Sequence, residues 1–153
     1  MIKYIWLFSV VVLTNILLSP TLAADISQNY EKMIWIDQLK QVGAAYERGK
    51  KVREFPVITG DDETTTEPGI YVVRVKDEDY YSRKYQTPMP YSIFFDYKNR
   101  VAIHGGEVPP PKTKIGLATH GCVHVEQPHI KWLYDWSEAG STVVVIRGRR
   151  TQD

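Results

Sequence analysis

Cys122 is the only cysteine in a chain of 153 residues, and three of the four histidines, His104, His120 and His124, lie close to it in the sequence. A thiol is a weak nucleophile until it loses its proton, and an imidazole within reach both accepts that proton and stabilises the thiolate. If "ATHGCVHV" is extended, His120, Cys122 and His124 alternate onto one face with period two, and Gly121 leaves room for a close backbone approach. His104 ends another apolar run, "RVAIHGG", eighteen residues before the cysteine, a separation that lets the chain return to an adjacent strand. The chemistry on offer is nucleophilic attack by Cys122 with a histidine as base. A second chemistry uses the same four side chains as zinc ligands, although their spacing fits no standard zinc pattern.

The elements that must position these residues read mostly as strands. "MIWIDQ" alternates, "QVGAAYERGKKVREFPVITG" reads as two strands around a turn at Arg48-Gly49, and "PGIYVVRV" and "YSIFFDY" are β-branched and aromatic runs bounded by Gly, Pro and Asn. One helix is expected, from Pro128 to Ala139, with Ile130, Leu133, Tyr134 and Ser137 on one face and Gly140 just past its end. Trp132 and Trp136 on that helix read as packing residues, and His129 as a solvated surface residue. "STVVVIRG" reads as a buried closing strand. Residues 76–90 are too polar for a core element yet hold three tyrosines, which suits a lid over a site. "EVPPPKTKIG" reads as a stiff extended connection between His104 and the cysteine segment.

The chain opens with "MIKYIWLFSVVVLTNILLSPTLAA", one Lys and then an apolar run ending at small residues, which reads as a secretory leader over residues 1–23. An uncleaved anchor is the alternative, because Tyr4 to Ala24 is uncharged and about long enough to span a bilayer. The expected location is the periplasm or cell envelope, with membrane contact only through the leader if it is retained. About 130 residues then remain, enough for one domain with a real core. Beyond the leader the chain carries 18 basic and 18 acidic residues, so nothing in its charge suggests a nucleic-acid partner. A single cysteine forms no internal disulfide, even in an oxidising compartment.

"IHGG" followed by "THGCVHV", with sixteen positions from His104 to His120, resembles the signature of the L,D-transpeptidase catalytic domain family (YkuD-like). "VITGDDETTTEPGIY" is similar to that family's glycine turn and Thr/Pro/Gly segment, "MPYSIFFD" to its strand before the histidine, and "AGSTVVVI" to its closing strand. The resemblance implies a mainly β fold, a β-dominated α+β sandwich over residues 30–149 with one clear helix in the C-terminal half. It implies an enzyme that takes peptidoglycan tetrapeptide stems, attacks the third-residue carbonyl with Cys122, releases the terminal D-Ala and passes the acyl group to an amine. His104 would be the general base and His120 the motif histidine. The Gly105 carbonyl would orient the base, and the N–H groups of Gly121 and Cys122 would receive the oxyanion. Thr119, Tyr91 and His124 would meet the substrate. His124 stands where the family usually has Asn or Arg, and a His replaces a fixed cation only while protonated. The resemblance implies no cofactor and no metal, and a monomer is expected. The alternatives are an L,D-carboxypeptidase-type hydrolase that delivers the acyl group to water, the zinc site, and an inactive wall-binding domain.

Overall fold

A computed structural model of the chain describes residues 22–61, 64–107 and 119–148. Residues 1–21 of the expected leader and most of the proline-rich connection lie outside them.

Strand β1 (Lys32–Asp37) runs antiparallel to β2 (Val42–Glu47), which pairs in turn with β3 (Lys50–Pro56). Arg48 and Gly49 form the turn between β2 and β3 with φ of 49° and 78°, the sense of twist that tight hairpins favour. Strand β4 (Gly69–Val72) lies at the far edge of this sheet, and β5 (Val75–Asp77) belongs to a second sheet. "PGIYVVRV" is therefore two strands rather than the single one expected. The switch falls where Val73 donates its N–H to the Thr142 carbonyl (2.9 Å) while Arg74 donates to Phe94 (2.7 Å), so adjacent residues bond to different sheets. A small hairpin follows, β6 (Tyr81–Ser82) and β7 (Thr87–Pro88), then β8 (Ser92–Asp96), β9 (Val101–His104) and the short β10 (Val123–His124). The last strand, β11 (Val143–Arg147), inserts between β1 and β4. The larger sheet has the order β3-β2-β1-β11-β4, with β1 and β11 parallel, and the smaller has the order β10-β9-β8-β5, with β10 and β9 parallel.

Period-two alternation divides the apolar residues between two clusters. Ile34, Ile36, Val144 and Ile146 face the smaller sheet and meet Ile93, Phe95, Ile103 and Val123 in the main core. Met33, Trp35, Val143 and Val145 face the other way, where the helix α1 (Leu22–Ser27) covers part of them through Ala23. This helix was not expected from the sequence. Both faces of β1 and β11 are thus occupied, and each fully buried Ile or Val contributes about 1.5–3 kcal/mol of transfer free energy.

Helix α2 (His129–Trp136) is shorter than the Pro128–Ala139 expected. Ser137 leaves it in an extended conformation (ψ 153°), and Gly140 instead serves the turn into β11, its N–H donating to the Val73 carbonyl (2.8 Å). The core face is as expected, with Ile130 and Leu133 fully buried. Trp132 and Trp136 stack with centroids 5.4 Å apart, and Arg53 covers the first at 4.2 Å, which makes them packing residues. His129 departs from the surface role expected. Its ring lies 6.2 Å from Phe55, and its Nδ1 is buried without a hydrogen-bond partner. Among the described residues no helix is long and apolar enough to cross a membrane.

Candidate active site

Cys122 sits in a bend between Thr119 and β10, and the 58–66 segment clamps this bend from behind. Ile58 bridges to His124, and Gly60 to Thr119. Three threonine hydroxyls then fix three carbonyls of the bend: Thr64 Oγ1 donates to Thr119 O (2.7 Å), Thr66 Oγ1 to Gly121 O (2.9 Å), and Thr119 Oγ1 to the carbonyl of Cys122 itself. The Thr66 hydroxyl also accepts the Gly60 N–H at 3.0 Å. A trans peptide is planar, so holding a carbonyl on one side aims the following N–H to the other. Thr66 thereby turns the Cys122 N–H away from the 58–66 segment, and Thr64 does the same for His120. The close approach needs two glycines. A Cβ on Gly60 would lie 1.8 Å from the Thr64 carbonyl, and Gly121 adopts a φ of 101°, a region disfavoured for L side chains.

That left-handed Gly121 also ends the period-two alternation expected of "ATHGCVHV", in which only Val123 and His124 form strand. His120 is directed outward and stacks on Tyr85 (4.4 Å between centroids), while His124 points inward and is 1% exposed. The three side chains do not share the single face that an unbroken strand would have given them.

The β9–β10 register places His124 directly opposite His104, and their rings meet edge to face at 5.9 Å. His104 Nδ1 lies 2.7 Å from the Gly105 carbonyl, and His124 Nε2 lies 3.0 Å from the Gly106 carbonyl. A carbonyl only accepts, so these two nitrogens carry the protons. In neutral His104 the lone pair is consequently on Nε2. Burial lowers the His104 pKa to about 4, against the Gly105 carbonyl, which favours the imidazolium, and with a smaller lowering from His124. Burial likewise pushes the Cys122 thiol up, partly offset by a backbone hydrogen bond from Ala102 and the positive charge of Lys84. The resting pair is a neutral thiol and a neutral imidazole. The Cys122 Sγ is 3.9 Å from the Arg100 carbonyl, and it makes no hydrogen bond to His104.

Cys122 and His120 form one end of a cleft of about 400 Å³. Its other walls are the Tyr80–Tyr85 stretch of the β6–β7 hairpin, Met89, and Asn99, Arg100 and Val101 at the β8–β9 turn. The polar 76–90 segment thus lies over the cysteine, where a lid was expected. Tyr91 does not line the cleft; it is half-buried and packs edge to face on Tyr134 at 5.7 Å. Thr119, 3% exposed, faces the backbone of the bend rather than the cleft. Among the described residues no three His, Cys, Asp or Glu side chains are placed to share a metal ion. Two of the four suggested ligands turn a ring nitrogen to a carbonyl, and a third stacks on Tyr85.

Thr64, Thr66, Tyr85, Lys84 and Arg100 are the residues that sequence reasoning missed. The two threonines lay inside the Thr/Pro/Gly segment already singled out, but their bonds span 55 positions each, a pairing that local pattern does not reveal.

The arrangement has counterparts. Residues 31–146 match the family model for the L,D-transpeptidase catalytic domain (YkuD). L,D-transpeptidase 2 of Mycobacterium tuberculosis is 27% identical over 109 residues, which cover 64% of this chain and 27% of that protein. An L,D-transpeptidase structure from Stackebrandtia nassauensis superposes with a TM-score of 0.69 at 27% identity, over 80% of this chain and 58% of that one. The avibactam carbamoyl enzyme of Ldtfm superposes with a TM-score of 0.66 at 26% identity, over 78% of this chain and 50% of that one. The chain therefore spans about a quarter of the curated relative and a little over half of the solved chains it matches. The strands that place His104 opposite the cysteine segment all fall within residues 31–146, and a match over that span makes this chain a member of the L,D-transpeptidase catalytic domain family.

Proposed function

We propose that the protein is a peptidoglycan L,D-transpeptidase that works through a Cys122 acyl-enzyme. The observation that carries this reading is the pairing of a cleft-lining thiol with a buried histidine whose Nδ1 is held by the Gly105 carbonyl, leaving Nε2 as the base. In this reading the Cys122 side chain turns from the Arg100 carbonyl toward that nitrogen before attack. Because both groups rest neutral, proton transfer to His104 accompanies attack on the third-residue carbonyl of the stem instead of preceding it. The tetrahedral oxyanion is received by the Cys122 N–H, aimed by Thr66, together with the Gly121 N–H. Collapse expels the amine of D-Ala, which takes the proton from His104 and leaves a thioester. An amine from a second stem then attacks the thioester, and His104 removes its proton. In this reading Thr119 and His124 are positioning residues, the first for the Cys122 carbonyl and the second for the His104 ring, and neither contacts the stem.

Mass spectrometry of the protein with a synthetic tetrapeptide stem tests the proposal. The expected result is a mass gain equal to the tripeptide acyl group, one D-Ala released per turnover, and no adduct on Cys122→Ala. Free tripeptide as the sole product would make water the acceptor, and an adduct that persists on Cys122→Ala would remove the nucleophile assignment. Export to the cell envelope with loss of residues 1–23 is proposed on the apolar leader and its small-residue end. The mass of the protein recovered from cells reads this directly: retention of residues 1–23 overturns cleavage.

A further inference from the structure

Among the described residues, the cleft beside Cys122 is lined by three cationic side chains, Arg83, Lys84 and Arg100, and by no carboxylate. The ion pairs among the described residues engage Lys32, Arg48, Lys51, Lys131 and Arg147, and none of the three cleft cations is among them. Two of them sit instead beside aromatic rings. Lys84 Nζ lies 5.0 Å from the Tyr85 ring centre, and the Arg100 guanidinium 5.6 Å from that of Tyr97, contacts that leave their N–H donors free. Arg100 is also held at a φ of 59°, a left-handed conformation that Gly or Asn adopts at lower cost. Three positive charges around a confined cleft concentrate an anion there before any contact forms.

Resting on the transpeptidase reading, we propose that Lys84, Arg83 and Arg100 form a carboxylate subsite that takes the free C-terminal carboxylate of the leaving D-amino acid. The chemistry of the stem places an anion there. The scissile carbonyl carbon and the carboxylate carbon of the next residue are separated by one N–Cα unit, roughly 3–4 Å in space. A peptide end seated with its scissile carbonyl at Cys122 therefore puts its carboxylate within the same cleft. The subsite makes the enzyme selective for stems that end one residue beyond the bond it breaks. It also fills the role that a fixed cation at position 124 would have served, since His124 is buried and hydrogen-bonded to the Gly106 carbonyl.

The test compares two synthetic tetrapeptide stems, one ending in D-Ala with a free carboxylate and one ending in the D-Ala carboxamide. Wild type should favour the acid by about 10- to 100-fold in KM, the range of hydrogen bonds to a charged group. Lys84→Gln and Arg100→Gln should each shrink that ratio by raising KM for the acid more than for the amide, and the triple variant with Arg83→Gln should bring it near one. Equal losses on acid and amide, or no loss on either, would overturn the subsite; equal losses would place the recognised anion elsewhere along the stem. If wild type turns over neither stem, the transpeptidase reading fails by itself. The affinities of Cys122→Ala for acid and amide, measured by calorimetry, then still decide the subsite, and equal affinities would refute it.

Discussion

Replacing Thr66 by Val keeps the size of the side chain and deletes only the hydroxyl that links the Gly60 N–H (3.0 Å) to the Gly121 carbonyl (2.9 Å). The site is 1% exposed, so water does not take the hydroxyl's place at either group. A buried backbone group left unpaired costs about 1–3 kcal/mol, and two such groups give an expected loss of roughly 2–5 kcal/mol in folding stability. The effect on rate is separate. Without the bond to its carbonyl, the Gly121–Cys122 peptide is free to rock, and the Cys122 N–H no longer points steadily at the developing oxyanion. Full removal of one oxyanion donor costs about 10²–10³ in kcat; misalignment of a donor that is still present should cost about 10- to 100-fold. The assay is steady-state D-Ala release from a tetrapeptide stem, run well below the melting temperature of the variant. We expect kcat to fall with KM nearly unchanged, and Thr66→Ser to restore most of the rate because the hydroxyl returns. A Thr66→Val enzyme with wild-type kcat and a lowered melting temperature would show that the hydroxyl only holds the fold together.

His104 carries a folded-state pKa of about 4 against an ordinary value of 6.5, so the unfolded chain binds the extra proton first as the pH falls. The sign is therefore a loss of stability on acidification, beginning below pH 6.5 and complete below pH 4, worth about 3 kcal/mol for this group. Urea midpoints at pH 7, 5 and 4 should fall more steeply for wild type than for His104→Gln; parallel slopes would contradict the burial of a neutral imidazole. The same group predicts that the acid limb of kcat/KM lies near pH 4, with His104→Gln losing about 10² to 10⁴ in rate at every pH, and a limb near pH 6.5 would count against it. At position 124, Arg should fail despite its charge, because the site is 1% exposed. His124→Arg is expected to cost roughly 3 kcal/mol or more for burying an unpaired cation, while His124→Asn keeps a donor for the Gly106 carbonyl. Thermal melts of the two variants compare these outcomes, and a wild-type melt for His124→Arg would refute the buried role.

Much of this fold was legible in the sequence because its signals are local. The strands around Ile34, Phe94 and Val144 announce themselves by β-branched and aromatic runs, and the Arg48-Gly49 turn by residue type. The helix face was legible from spacing, since Ile130 and Leu133 recur at three residues. Its end was not, because the competing pull on residues 137–142 comes from Val73 and Lys76, which are distant in sequence. The break between β4 and β5 was hidden for the same reason: Val73 and Arg74 suit a strand equally well, and only their partners differ. At the site, residue types singled out Cys122 and His104 as candidates. The outward turn of His120 depended on the sign of one dihedral at Gly121, and the lid cations on a hairpin whose placement no periodicity encodes.

The position of β11 bears on how the chain is made. In synthesis from the N-terminus, the meander β1–β2–β3 has all its partners early, but β1 pairs on its other side only with residues 143–147. At about 5–20 residues per second, the ribosome needs roughly 5–20 s to supply them. For that interval β1 offers a bare edge carrying Ile34 and Ile36 on one side and Met33 and Trp35 on the other, a template for pairing with any neighbouring nascent chain. The larger sheet cannot close before nearly the whole chain exists, so the polypeptide is most exposed to mispairing over that interval. Chaperone capture of the first sixty residues should matter more to yield than any step after β11 has docked.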